Sequence, residues 1–298
     1  MKKIFLPLVM LIAISILLTS CSTGQANQSS QVQQSEKASE DMRIIGGSRA
    51  VSEILAKLDI EIVGRPSTQY EIMDEIKDTP EIGFPMNPDL EKVKSLKPDV
   101  YITSGALQEM IGDMLVENGI NTMFCDLDSY DSVKETIEKL AKEFNKEENG
   151  KELIAEIEKE EQEILKDINP NKKVKVMILF GAPGHFMLAS NNSFAGSLIE
   201  KLGAENIASK ADISGQYVPF SLETALKENP DIIFRMYHGD IEEAKKQANE
   251  EFKNNPQWQK FKAVKEGKIY DLDPECFGVT GDIKIVESLK KMKEYLYE

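Results

Sequence analysis

The sequence predicts an α/β protein of two lobes, each with a central parallel sheet flanked by helices, joined by a long linking helix, with a ligand cleft between the lobes. From Met42 onward, short β-branched runs alternate with amphipathic helical stretches, the pattern of parallel strands connected by crossover helices. A charged helical stretch over 131–168 divides those runs into two groups. A unit on one side of it is echoed on the other, Leu90-Glu91 with Pro98-Asp99-Val100 answering Leu222-Glu223 with Pro230-Asp231-Ile232.

The first residues set the compartment. Lys2 and Lys3 precede an apolar run from Ile4 to Leu18, the layout of a secretory signal and too short for a comfortable membrane span. Leu18-Thr19-Ser20-Cys21 resembles the bacterial lipobox, which implies removal of 1–20 as a signal peptide and lipidation of Cys21. Residues 22–40 are rich in Ser, Gln and Asn and lack aromatics, so 21–42 reads as an anchor and a flexible tether. The expected location is the cell membrane, lipid-anchored, on its extracellular face.

The next boundaries are an N-terminal lobe over 43–145, a linking helix over 146–170 and a C-terminal lobe over 171–298. Strands are expected at 43–46, 60–63, 100–103 and 122–125, then at 174–180, 232–235 and 268–270. Between the groups, Val133, Ile137, Leu140, Phe144, Leu153, Ile157 and Ile164 fall at helical spacing among Glu and Lys. Gly150 is the expected break there, and Asn169-Pro170-Asn171 the stop. A helical link resists hinge bending, so small lobe motions are expected. Trp258 is placed in a C-terminal helix and in core.

Composition excludes several functions. A formal net charge of -15 disfavours a nucleic-acid footprint, which needs a basic face. Beyond Cys21, Cys125 and Cys276 lie far apart without zinc or redox spacing, and read as buried free thiols. No H-E-x-x-H or G-x-S-x-G occurs, which argues against a metal-dependent hydrolase or a chelatase. The chain has 2 histidines, too few for a bare metal-ion carrier.

Those histidines, His185 and His238, each follow a predicted strand beside glycine, where ligands of open α/β sheets gather. Each reads either as a cleft ligand or as an exposed loop histidine. Met86 stands between Pro85 and Asn87-Pro88, a rigid setting unlike the amphipathic stripe of a core methionine. Gly47-Ser48-Arg49-Ala50 follows the first strand, with Ser48 as N-cap, amides at the helix start and a positive Arg49; it is either an anion site or a plain cap. Ser67 and Tyr70 follow the second predicted strand on the same side.

At this point the two-lobed order, the paired Leu-Glu and Pro-Asp units and the long link resemble the periplasmic-binding proteins that carry siderophores, cobalamin and haem, over essentially the whole mature chain. Pro80-Glu81-Ile82-Gly83-Phe84-Pro85-Met86, Gly181-Ala182-Pro183-Gly184, Arg235-Met236-Tyr237-His238-Gly239 and Phe277-Gly278-Val279-Thr280 look more narrowly like the haem-receptor lipoproteins among them. That resemblance implies haem b as ligand, with Met86 and His238 as axial ligands of the iron. It implies delivery to an ABC permease and its ATPase, with Glu91 and Glu223 docking into the permease. It further implies a monomer fed by upstream cell-surface haem-transfer proteins, and no catalysis. His185 departs from the pattern as a second candidate ligand. A siderophore or cobalamin carrier of the same fold is the alternative.

Overall fold

The computed structural model describes residues 42–169, 171–182, 184–210 and 215–298; the expectations for the leader, Cys21 and the tether lie outside them. Among the described residues no helix is long and apolar enough to cross a membrane.

In chain order the first sheet uses β1 (Ile44–Gly46), β4 (Val100–Ser104) and β5 (Thr122–Cys125), ordered β1-β4-β5 and parallel throughout. β2 (Gly83–Phe84) and β3 (Asn87–Pro88) form a separate small hairpin. The second sheet uses β6 (Lys175–Phe180), β7 (Met187–Ala189), β8 (Glu205–Asn206), β9 (Tyr217–Pro219), β10 (Ile232–Met236) and β11 (Ile269–Asp271). β6, β8, β10 and β11 pair in parallel, and β7 and β9 extend the sheet antiparallel. The helices are α1 (Arg49–Lys57), α2 (Leu90–Ser95), α3 (Gln108–Glu117), α4 (Tyr130–Glu143), α5 (Glu147–Leu165), α6 (Phe194–Lys201), α7 (Leu222–Glu228), α8 (Ile241–Asn254), α9 (Lys262–Lys265) and α10 (Ile285–Tyr297). This is the two-lobed α/β architecture expected.

The echo between the lobes has a hydrogen-bonding cause. Asp89 caps α2 by accepting from the Glu91 and Lys92 amides, and Ser221 caps α7 by accepting from that of Thr224. Each helix is followed by a left-handed residue, Lys97 at φ 47° and Asn229 at φ 45°, and then by Pro-Asp. The aspartate holds the foot of its sheet's first strand: Asp99 accepts from the Arg43 amide at 2.7 Å, and Asp231 from the Lys175 amide at 3.0 Å. Each aspartate amide donates back to the same residue's carbonyl, at 2.8 and 2.7 Å. Pro-Asp therefore sets the register of the parallel pair, which is why it precedes a strand twice.

Three expectations need correction. Residues 60–63 form no strand, because the chain beside β1 makes only a bridge at Gly64, with Val63 donating to Ile44 and Gly46 to Gly64, before turning toward Glu81. The break in the charged helical stretch falls at Asn145, in the left-handed region at φ 56°, and not at Gly150. Gly150 lies inside α5 because a Cβ there would sit 2.5 Å from the Ala141 side chain, so the missing methyl lets α4 and α5 close. Trp258 is core at 1% exposure, as expected, but stands in a 3-10 turn, stacked on Phe252 and Phe220.

One apolar cluster runs through both lobes, from Ile44 and Leu55 through Val133, Ile137 and Ile157 to Ile178, Phe234 and Leu289. Polar ties reinforce it. Lys201 of α6 meets Asp131 of α4 at 3.1 Å and Glu161 of α5 at 3.0 Å, while Lys134 reaches both carboxylates at 3.4 Å. Both ammonium groups lie over the buried Tyr130 ring. Cys125 and Cys276 are free and buried.

Candidate ligand-binding cleft

A cavity of about 520 Å³ opens at the carboxyl ends of β1, β6, β10 and β11, where topology directs loops from both lobes. Its size lies within the roughly 300–1,000 Å³ usual for small-molecule sites. Ser48, Arg49 and Ala50 line it from the start of α1, Ser67 and Tyr70 from the following loop, Met86 from the β2–β3 hairpin and His238 from the loop after β10. Seven residues singled out in sequence thus meet around one space.

Two others do not. His185 is exposed and lies outside the lining, because the tight turn returning β6 into antiparallel β7, closed by the His185 amide donating to the Ala182 carbonyl, carries it away. Gly47 lies behind the wall: a Cβ there would come within 2.2 Å of the Tyr101 ring, so it serves the approach of backbone to core. Its amide donates to the Ile102 carbonyl and is not free for a ligand.

Met86 owes its position to the shortest possible hairpin. Gly83 pairs with Pro88 and Phe84 with Asn87, leaving Pro85-Met86 as a two-residue loop. Gly83 sits at φ 93°, which favours glycine, and a Cβ would come within 2.9 Å of the Asp89 amide. The result pushes Phe84 and Met86 outward, each 62% exposed, and both line the cavity together with Val279 at 39%. Of the six large apolar side chains that stand exposed among the described residues, three are gathered at this rim. An exposed apolar cluster around a concave site marks a binding surface.

His238 stands two residues beyond β10, and its ring lies 5.0 Å from that of Phe180, which stacks on Tyr217 at 4.1 Å. The approach to it is pinned. The Tyr237 hydroxyl donates to Asp271 at 2.8 Å, and the buried Arg235 donates to the same carboxylate at 2.7 Å and to Asn249. Burial drives the Tyr237 hydroxyl well above the ordinary phenol range. It remains a donor at any working pH.

At the opposite wall, Ser48 caps α1 by accepting from the Val51 amide at 3.4 Å. Arg49 is already committed: it pairs with Asp282 at 2.8 Å and Glu53 at 3.5 Å, and lies over the Tyr70 ring at 5.7 Å. The Tyr70 loop is held by Arg65, which donates to the carbonyls of Pro66, Ile76 and Lys77 and pairs with Glu81. Ser67 donates to Glu81 at 2.7 Å, and that bond, with Arg65 beside it, holds the Glu81 carboxyl below its ordinary range. Phe84, Val279, Phe180, Tyr237 and Asp282 line the cleft without having been singled out. Phe84, Tyr237 and Val279 stood in the quoted motifs, but only folding shows that they share a rim.

Among the described residues Arg49 is the sole Lys or Arg of the lining, against the carboxylates of Glu275 and Asp282. Such a wall suits a largely apolar ligand with few anionic groups and opposes a strongly anionic one.

Comparison with known proteins bears on family and fold. The chain is 35% identical over 292 residues to the high-affinity heme uptake system protein IsdE of Staphylococcus aureus (strain bovine RF122 / ET3-1), covering 98% of this chain and 97% of that protein. The crystal structure of S. aureus IsdE complexed with heme superposes with a TM-score of 0.80 at 34% identity, over 87% of this chain and 100% of that one. An ABC transporter substrate-binding protein from Listeria monocytogenes EGD-e gives a TM-score of 0.81 at 32% identity, over 86% and 98% of the two chains. A model of the periplasmic binding protein family matches residues 44–276, and with the two-lobed fold and its interlobe cleft this establishes that the chain belongs to that family.

Proposed function

We propose that this protein captures haem in the interlobe cleft, with the Met86 thioether and the His238 imidazole on the iron, and delivers it unaltered to an ABC import permease. The observation that carries the reading is the convergence of Met86 and His238 on one cavity whose rim is Phe84, Met86 and Val279. An apolar rim and a single cationic side chain match a porphyrin, which is a large apolar plate with two carboxylates. The relatives whose names include heme support it. Thioether and imidazole together fill both axial positions, raise the reduction potential relative to bis-imidazole and discourage oxygen chemistry, which suits a carrier.

In this reading the helix-start amides at Arg49 and Ala50, with the Arg49 guanidinium, receive the propionates, and Ser67 and Tyr70 close the same side. We take 43–145 and 171–298 as the lobes, with 146–170 as the link. Glu91 and Glu223, exposed in the first turns of α2 and α7, dock on the permease, whose ATPase drives release. Cys21 carries the lipid that holds the protein at the extracellular face of the membrane. Mass spectrometry of the mature N-terminus tests this last element, and an unmodified Cys21 refutes it.

Titrating the purified protein with haemin tests the central claim. A low-spin six-coordinate absorption spectrum saturating at one equivalent is expected. An unchanged haemin spectrum, with Trp258 fluorescence quenched instead by a ferric siderophore, transfers the site to the siderophore reading.

A further inference from the structure

Glu53 is one of four charged residues buried among the described residues, with Arg65, Arg235 and Asp282. It lies on the second turn of α1, at 1% exposure, one layer behind the cleft wall. The charged groups facing it are Arg49 from its own helix, and Asp282 and Lys284 from the segment entering α10. Arg49 is divided between two carboxylates: Nη2 donates to Asp282 at 2.8 Å, and Nη1 reaches Glu53 at 3.5 Å. Asp282 is engaged a second time by the Lys284 amide at 2.7 Å, so it is the better-held partner.

A ligand carboxylate at the start of α1 would be a third anion around one guanidinium. One must lose its charge or leave. Asp282 is tied by two donors and borders the solvent-facing cavity; Glu53 is buried, holds the longer contact and has nowhere to move.

We infer that Glu53 is the proton-linked residue of this anion site: when a carboxylate of the bound porphyrin shares Arg49, the Glu53 carboxylate takes up one proton from solvent. The inference rests on the haem reading above and goes beyond it, since it assigns a role to a residue that does not touch the ligand. Burial, followed by the opposing effect of Arg49 and the like charge of Asp282, raises the Glu53 carboxyl from 4.5 to about 7. The group is therefore poised to change charge near neutrality, and another nearby anion raises it further.

Below pH 7 Glu53 is already neutral in the free protein, and binding needs no proton. Above it the free protein is ionised, binding draws a proton, and affinity falls by up to about tenfold per pH unit until the bound-state value is passed. Neutralisation of Glu53 also favours ligands with a carboxylate at this wall over uncharged analogues, increasingly so at acid pH.

Haemin affinity measured from pH 6 to 9 for the wild type and for Glu53→Gln tests the proposal. The amide imitates neutral Glu53, so the variant is expected to keep the wild-type affinity of pH 6 throughout, while the wild type weakens at least fivefold by pH 9. Any pH effect from groups other than Glu53 is common to both proteins and cancels in their ratio. Calorimetry of the wild type at pH 7.5 in two buffers of different ionisation enthalpy is expected to show net proton uptake, which makes the result independent of how well the variant folds. Parallel pH profiles, or no uptake, overturn the proposal while leaving haem binding intact. An unaltered haemin spectrum at pH 6 overturns the haem reading, and this inference with it.

Discussion

The Arg49 guanidinium meets the Asp282 carboxylate at 2.8 Å, so the start of α1 in one lobe and the segment entering α10 in the other are tied together at the cleft lining. Both side chains are largely buried, at 17% and 12% exposure, and the pair is correspondingly less screened than a surface contact. The two ends are not equivalent. Removing Asp282 leaves Arg49 with Glu53, whereas removing Arg49 strands two carboxylates together. Arg49→Ala is therefore expected to destabilise by about 2–4 kcal/mol and Asp282→Ala by about half as much. Urea unfolding of both variants checks the order, and a greater loss in Asp282→Ala contradicts this account.

Glu53 also makes stability depend on pH. Its carboxyl is raised from 4.5 to about 7 in the folded protein, so between those values the folded state holds a proton that the unfolded chain has lost. Stability from this group is therefore lost as pH rises through that window and is constant above it. Glu53→Gln should gain roughly 1–3 kcal/mol over the wild type on moving from pH 4 to pH 8. A constant stability difference across that range would show that Glu53 titrates normally.

The two proposed ligands make different spectroscopic predictions. His238→Ala is expected to lose the low-spin six-coordinate haem spectrum, and Met86→Ala to become five-coordinate or to take water. His185→Ala should retain the wild-type spectrum, since that side chain lies outside the cleft lining. Retention by both Met86→Ala and His238→Ala removes the ligand assignment.

Gly150→Ala sets helix propensity against packing. The change gains about 1 kcal/mol in an isolated helix. Here the new methyl meets Ala141 at 2.5 Å, and overpacking of this kind costs about 1–3 kcal/mol. A net fall in melting temperature is expected. An increase would mean that α4 and α5 separate easily.

Glu91 and Glu223 occupy equivalent positions in the repeated unit, and neither lines the cleft. The double Ala variant is expected to bind haemin as the wild type does while haem-dependent growth and permease-stimulated ATP hydrolysis drop severalfold. Single exposed ion pairs are worth about 1 kcal/mol or less, so each single variant should be mild. Wild-type uptake by the double variant, or a direct loss of haem affinity, ends the docking assignment.

Local pattern in the sequence determined the parallel strands, the charged helices and the repeated Leu-Glu and Pro-Asp units, because each depends on neighbours a few positions away or on one capping side chain. It also drew attention to the settings of Met86, His238 and the Ser48-Arg49-Ala50 segment, since proline, glycine and N-cap chemistry are local, but the pairing of Met86 with His238 as ligands came from the family resemblance of the motifs around them. The three-residue strands β7 and β9 left no periodicity to read, and 60–63 looked like a strand because composition cannot count the hydrogen bonds available beside β1. The helix break moved from Gly150 to Asn145 for a similar reason: glycine there answers a neighbouring helix and not a turn. Only the tertiary structure decided which candidates share a space, bringing Arg49 to Asp282 across 233 positions, gathering Phe84 and Val279 at one rim and turning His185 away. Charge and exposure at those positions depend on atoms supplied by distant segments, so they come into being only when the whole chain folds.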